Sequence, residues 1–246
     1  MRWSNCCKLL TVGLALELLC VNLPGISRSA TLAGESPLTR QPVVFEENFE
    51  PPGEGHPDDT AGAGSRDGVR CAASEPAMRA IVPPRNYGLT LEEHPRVFVY
   101  IPETTAQQVL LAFKDESGDY YQRALLPIAE TETIVSFRLP EDAPPLSVGK
   151  NYQWVLTVIC GTTPTPDDPV FSGWVQRVEQ TAEVEKGLAG KPAEEQAQWY
   201  GERGYWYDLV ASLVQARQTH PEDGRINAQW ESLLELAGLS AIADER

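Results

Sequence analysis

The chain predicts an α+β fold, with an antiparallel β-sandwich followed by a small helical module. Three observations predict it. Between residues 79 and 180, short runs rich in β-branched and aromatic residues are separated by Gly, Pro, Asn and Asp turns. After residue 180 the apolar spacing shifts from the two-residue period of strands to the 3.6-residue period of helices. Residues 31–78, by contrast, are rich in Gly, Pro, Glu and Asp and offer little to bury.

The first thirty residues precede any fold. Arg2 and Lys8 make a short basic start, Leu9 to Leu23 is mostly apolar, and Gly25, Ser27 and Ala30 supply small residues. That order reads as a secretory signal peptide over residues 1–30, cleaved after Ser27 or Ala30, although Glu17 interrupts the apolar run. The run is too short to cross a bilayer comfortably, so no stable membrane span is expected after cleavage. The expected location is exported, periplasmic or extracellular. Cleavage removes Arg2, Lys8 and Arg28 against Glu17 alone, leaving the mature chain more acidic than the full chain's net charge of −15. No basic stripe is present, so a nucleic-acid partner is not expected.

Cys6, Cys7 and Cys20 depart with the signal and leave Cys71 and Cys160. In an oxidising compartment that pair reads as a disulfide. Residues 31–78 read as a disordered acidic linker, because "EPPGEGHPDDTAGAGSRDG" cannot offset its ordering entropy. Its "GAGSRDG" lacks the spacing and the strand–helix setting of a nucleotide fingerprint.

The strand series runs through "RVFVYIP" (96–102), "QQVLLAFKD" (107–115), "DYYQRALLPI" (119–128), "ETIVSFRLP" (132–140), "NYQWVLTVIC" (151–160) and "FSGWVQRVE" (171–179). Val97, Val99 and Ile101 share one face, as do Tyr152, Trp154, Leu156 and Val158. Pro95, Pro102, Pro127 and Pro140 bound the elements. A tryptophan at 154 with a cysteine six residues later suits an immunoglobulin-like core for residues 79–180, without the antibody cysteine spacing.

Residues 181–243 predict a helical hairpin plus one helix, packed on or beside the sandwich. Pro192 stands near a helix start, with Glu194 and Glu195 in its favourable first turn. Trp206, Leu209, Leu213 and Ala216 follow at helical spacing, and "HPEDG" ends that helix. Ile226, Trp230, Leu233 and Leu234 mark a third helix that Gly238 closes. The aromatic stretch "WYGERGYWYDLV" (199–210) is expected mainly as a packing seam. Tyr205 and Tyr207 fall off the apolar face and, with Trp199, are the candidate binding surface. The order of Tyr200, Gly204, Trp206, Leu209, Leu213, Ala216 and Pro221 resembles the later part of a tetratricopeptide repeat.

No catalytic constellation emerges. His56 lies in the linker, His94 and His220 precede prolines, and no G-x-S-x-G elbow occurs. No zinc spacing or EF-hand loop is present, so no metal and no cofactor are expected. The paired acids Glu92–Glu93, Glu141–Asp142, Asp167–Asp168 and Glu222–Asp223 read as solvated turn residues.

The segments "NYGLTLEEHPRVFVYIP", "PPLSVGKNYQWVLTVIC", "FSGWVQRV", "YGERGYWYDLVASLVQAR" and "WESLLELAGLSAIA" resemble, in that order, the largely cyanobacterial domain of unknown function numbered 928. The resemblance runs from about Arg70 to Ala243. It implies an exported protein with a β part and a helical C-terminal part, cysteines at the positions of Cys71 and Cys160, and no catalytic residues to carry over. The function expected is a non-enzymatic module binding an envelope or secreted protein. The alternative is a carbohydrate-binding or glycan-processing protein using exposed aromatics and paired carboxylates. The sequence leaves oligomeric state open.

Overall fold

Eight strands and five helices follow one another in the computed structural model, which describes residues 42–47, 51–58, 60, 71, 77–128 and 133–243. The expected signal segment 1–30 and Arg70 lie outside these residues. Three strands, β1 (Arg79–Ala80), β3 (Val97–Tyr100) and β6 (Ile134–Phe137), form an antiparallel sheet in the order β1-β3-β6. The larger sheet has the order β2-β8-β7-β4-β5, from β2 (Tyr87–Thr90), β8 (Val170–Arg177), β7 (Asn151–Ile159), β4 (Gln108–Asp115) and β5 (Tyr121–Pro127).

Alternation builds the core of the larger sheet. Tyr152, Trp154, Leu156 and Val158 are all buried, and Leu111 and Phe113 of β4 stand opposite Leu156 and Trp154. Across the other ladder Trp154 faces Gly173, where a Cβ would strike the indole, so the glycine makes room for the ring. All four residues of β3 are buried, because both of its faces are covered. The edge strand β5 buries neither face fully.

The expectation of purely antiparallel strands needs correction. β2 pairs with β8 in parallel, with Tyr87 opposite Trp174 and Thr90 opposite Arg177. The long stretch of chain between them frees the pair from hairpin geometry, so either direction is reachable.

The helices are α1 (Ala182–Leu188), α2 (Ala193–Gly201), α3 (Trp206–Thr219), α4 (Gly224–Leu236) and α5 (Ser240–Ala243). α1 and α5 are additional to the three expected. Thr181 caps α1 by accepting from the Val184 amide at 3.3 Å, and Asp223 caps α4 by accepting from the Arg225 amide at 2.8 Å. Gly238, at φ 72°, ends α4 while Leu239 N returns to Leu234 O at 2.7 Å. Trp206, Leu209, Leu213, Trp230, Leu233 and Leu234 join one hydrophobic core with the strands. Trp206 also donates through Nε1 to Ile81 O at 3.1 Å.

Parts of the expected disordered linker are ordered by contact with this core. Val43 is buried, Phe45 meets the Trp206 ring edge-on at 4.9 Å, and Glu46 N donates to Gly201 O at 3.0 Å. A Cβ at Gly201 would strike Val44 O, so that glycine accommodates this crossing segment. Local composition hides the reason: Val43 and Phe45 form a short apolar anchor within a polar average, while Val44 between them faces out. Residues 53–56 also pack on the sheet, where the Glu54 and Gly55 carbonyls accept from the side-chain amides of Gln176 and Asn151.

A candidate binding cleft on the helices

A cleft of about 600 Å³ opens where α2 faces the start of α4. Glu195, Gln198 and Glu202, spaced three and four residues apart, present one polar stripe from α2 and its C-cap. Arg225 and Gln229, one turn apart, answer from α4. Charges of both signs meet here. Arg225 lies 3.8 Å from Glu194, and Lys191 lies 3.5 Å from Glu195. These pairs are partly exposed, so their value is in shaping a polar wall more than in stability. Gln229 Oε1 is buried and has no hydrogen-bond partner among the described residues. The carboxylates are engaged with cations and amides, which suits recognition better than proton transfer.

Trp199 closes one side of the cleft. The Arg203 guanidinium sits 4.3 Å from its ring centroid. Tyr205 stacks beside it at 5.6 Å with 22° between planes, and Tyr200 meets it edge-on at 5.7 Å. Gly187 of α1 backs onto the indole so closely that a Cβ there would collide with it. Burial and the Asp208 carboxylate push the Tyr200 and Tyr205 phenols above their usual range. The packing seam predicted from the aromatic stretch is therefore present, with Trp199 and Tyr205 half-buried within it.

Tyr207 is not part of any exposed surface, and the expectation that it faces outward is corrected. It is 3 % exposed. Its hydroxyl accepts from Trp154 Nε1 at 2.7 Å and donates to Trp174 O at 3.0 Å. The helical-period argument assumed one buried face. The first turn of α3 is instead enclosed on several sides, since β2 approaches so closely that a Cβ on Gly88 would strike Trp206. Tyr207→Phe is expected to lower stability by about 1–3 kcal/mol, because it strands the buried Trp154 indole N–H. Urea unfolding would measure this, and a change under a few tenths would contradict the assigned pairing.

Cys71 and Cys160 are bonded to one another, with Cα atoms 5.3 Å apart. Among the described residues no group of three or more His, Cys, Asp or Glu is placed to hold a metal ion. His94 Nε2 lies 2.9 Å from Ala143 O, and His220 is exposed. The cleft itself was not singled out by sequence reasoning. The polar stripe on α2 was visible, but its partners on α4 follow only from the helix crossing.

Comparison with known proteins adds a family and little more. The search of curated proteins found no match. One solved structure that matches is the fn3 domain of human collagen alpha-1(XX) chain, 13% identical over 43% of this chain and 81% of that chain. Its TM-score of 0.28 carries no argument about this fold. The family model described as Domain of Unknown Function (DUF928) matches residues 61–246, covering the stretch whose motifs resembled it, and the chain belongs to that family.

Proposed function

We propose that the protein is an exported, non-enzymatic binding module whose helical cleft takes a segment of an envelope or secreted protein. The observation that carries this reading is the cleft between α2 and α4. Its polar wall holds both charge signs beside Trp199 and the unpartnered Gln229 carbonyl. Such a surface suits a polypeptide, which offers amide donors and side chains of either sign. The Cys71–Cys160 disulfide supports export, and no described helix is long and apolar enough to cross a membrane. The supporting body is read as an immunoglobulin-like sandwich over residues 79–180, carrying the module of residues 181–243. The glycan alternative is weakened because Arg203 and Tyr205 already occupy positions against the Trp199 ring, where a sugar would stack.

Two measurements test this. N-terminal sequencing of the protein from the cell envelope is expected to find a mature start after Ser27 or Ala30; a start at Met1 would overturn export by cleavage. A photo-cross-linking residue at Gln198 in whole cells is expected to capture one defined protein. The same residue at exposed Val148 is not. Glu195→Lys should abolish the capture. Equal capture from both positions, or capture of polysaccharide alone, would remove the proposed role of the cleft.

A further inference from the structure

A second site lies on the large sheet, independent of the cleft. Asn151 of β7, Gln176 of β8 and Tyr87 of β2 form a polar row at one end of the sheet, 0 %, 0 % and 3 % exposed. Strand alternation puts the row on the face opposite Trp154. Tyr87 Oη and Gln176 Nε2 both donate to Asn151 Oδ1, at 3.0 and 2.9 Å. Asn151 Nδ2 donates to Glu116 Oε2 at 3.0 Å.

Residues 53–56 lie across this row as a strap, held largely by their main chain. Gln176 Nε2 donates to Glu54 O at 2.7 Å, and Asn151 Nδ2 donates to Gly55 O at 2.5 Å. Two side-chain amides thus take two consecutive carbonyls. Glu54 N donates to Gly149 O at 2.7 Å, and Asn151 N approaches Glu54 Oε2 at 3.4 Å. The fit discriminates between the two glycines. A Cβ on Gly53 would land on the Gly149 backbone, whereas a Cβ on Gly55 would point into open space. The strap also leaves a group unsatisfied: Gln176 Oε1 is buried without a partner among the described residues. A buried acceptor without a donor is costly, so a segment that brings an N–H there would bind better than the strap does.

We propose that this row is a peptide-binding site that reads the main chain of an extended Gly-acidic-x segment, and that residues 53–56 occupy it in cis. A partner segment of that chemistry competes with the strap. Because the tethered strap is present at an effective concentration in the millimolar range, free peptide meets the wild-type site at a disadvantage.

The test uses the full chain and a labelled peptide, PPGEGHPD, copied from residues 51–58. Two variants loosen the strap: Gly53→Ala through the steric clash, and Glu54→Pro by deleting the amide that donates to Gly149. Hydrogen exchange over residues 51–58 is expected to quicken in both. Fluorescence anisotropy should then give saturable peptide binding, about tenfold or more tighter than to wild type. A peptide with alanine in place of its first glycine should fail to bind, while alanine at its second should be tolerated. Adding Asn151→Ala should abolish binding. Failure of both variants to quicken exchange would overturn the proposal by making the strap a fixed part of the core. So would a released strap with no saturable binding, or binding indifferent to Asn151 or to the first glycine.

Discussion

Replacing both Cys71 and Cys160 with alanine is expected to cost about 4–5 kcal/mol of stability on the chain-entropy argument. The bridge spans a sequence separation of 89 residues and ties the segment before β1 to the end of β7. In the unfolded chain it removes the freedom of nearly every strand at once, so the loss is large even though one bond is broken. Cys71 is also packed into the core and its carbonyl accepts from Thr105 N at 3.0 Å, so alanine is the replacement that leaves no buried hydroxyl. Urea unfolding of the wild type, with and without reductant, and of the double variant provides the measurement. Reduced wild type and double variant should agree to within about 1 kcal/mol, and both should show a larger m-value because their unfolded chains are more expanded. A loss under about 1 kcal/mol would mean that the native contacts around β1 and β7 already restrict the unfolded ensemble.

What the sequence made legible shares one property: it is local. The alternation in β7 and β4, the acidic start of α2 and the glycine that ends α4 are each written in a few consecutive residues. β2 is absent from the strand series read from the sequence, because "NYGLT" is short and carries a glycine where a strand would place a side chain. Asn86 adopts φ 56° there, and Gly88 exists to admit Trp206 from α3. The anchoring of residues 53–56 escaped composition because its bonds run largely to main-chain groups, which every sequence possesses. That of residues 42–47 escaped because two apolar side chains, Val43 and Phe45, sit in a polar stretch. Tyr207 was misplaced for a related reason, since its surroundings are supplied by Trp154 and Trp174 from distant strands. The cleft falls in the same class. Its α2 wall is a local pattern, but the pattern becomes a site only when α4 crosses it.

Asp208 supplies the second large effect, and it depends on pH. Its side chain is 6 % exposed, inside the first turn of α3, where its two oxygens lie 3.2 and 3.4 Å from the Leu91 amide. Burial raises its pKa from 3.8 to about 7, against the hydrogen bonds from Thr90 and Leu91 that favour the charged form. Thus the folded protein holds a proton that the unfolded chain releases at lower pH. The stability this contributes is fully present below pH 3.8 and is lost as pH rises to about 7. A shift of that size corresponds to about 4 kcal/mol across the interval. Asp208→Asn cannot titrate and keeps an acceptor for Leu91. Relative to wild type it should therefore gain about 4 kcal/mol between pH 4 and pH 8, whatever its offset at either end. Comparing the two chains cancels contributions common to both, among them those of Asp115 and Asp223, whose lowered pKa acts in the opposite sense. A difference that stays flat with pH would place the Asp208 proton elsewhere. A difference that moves as expected would make the α3–β2 junction looser in alkaline surroundings, at the carboxylate that Tyr200 and Tyr205 of the aromatic seam adjoin.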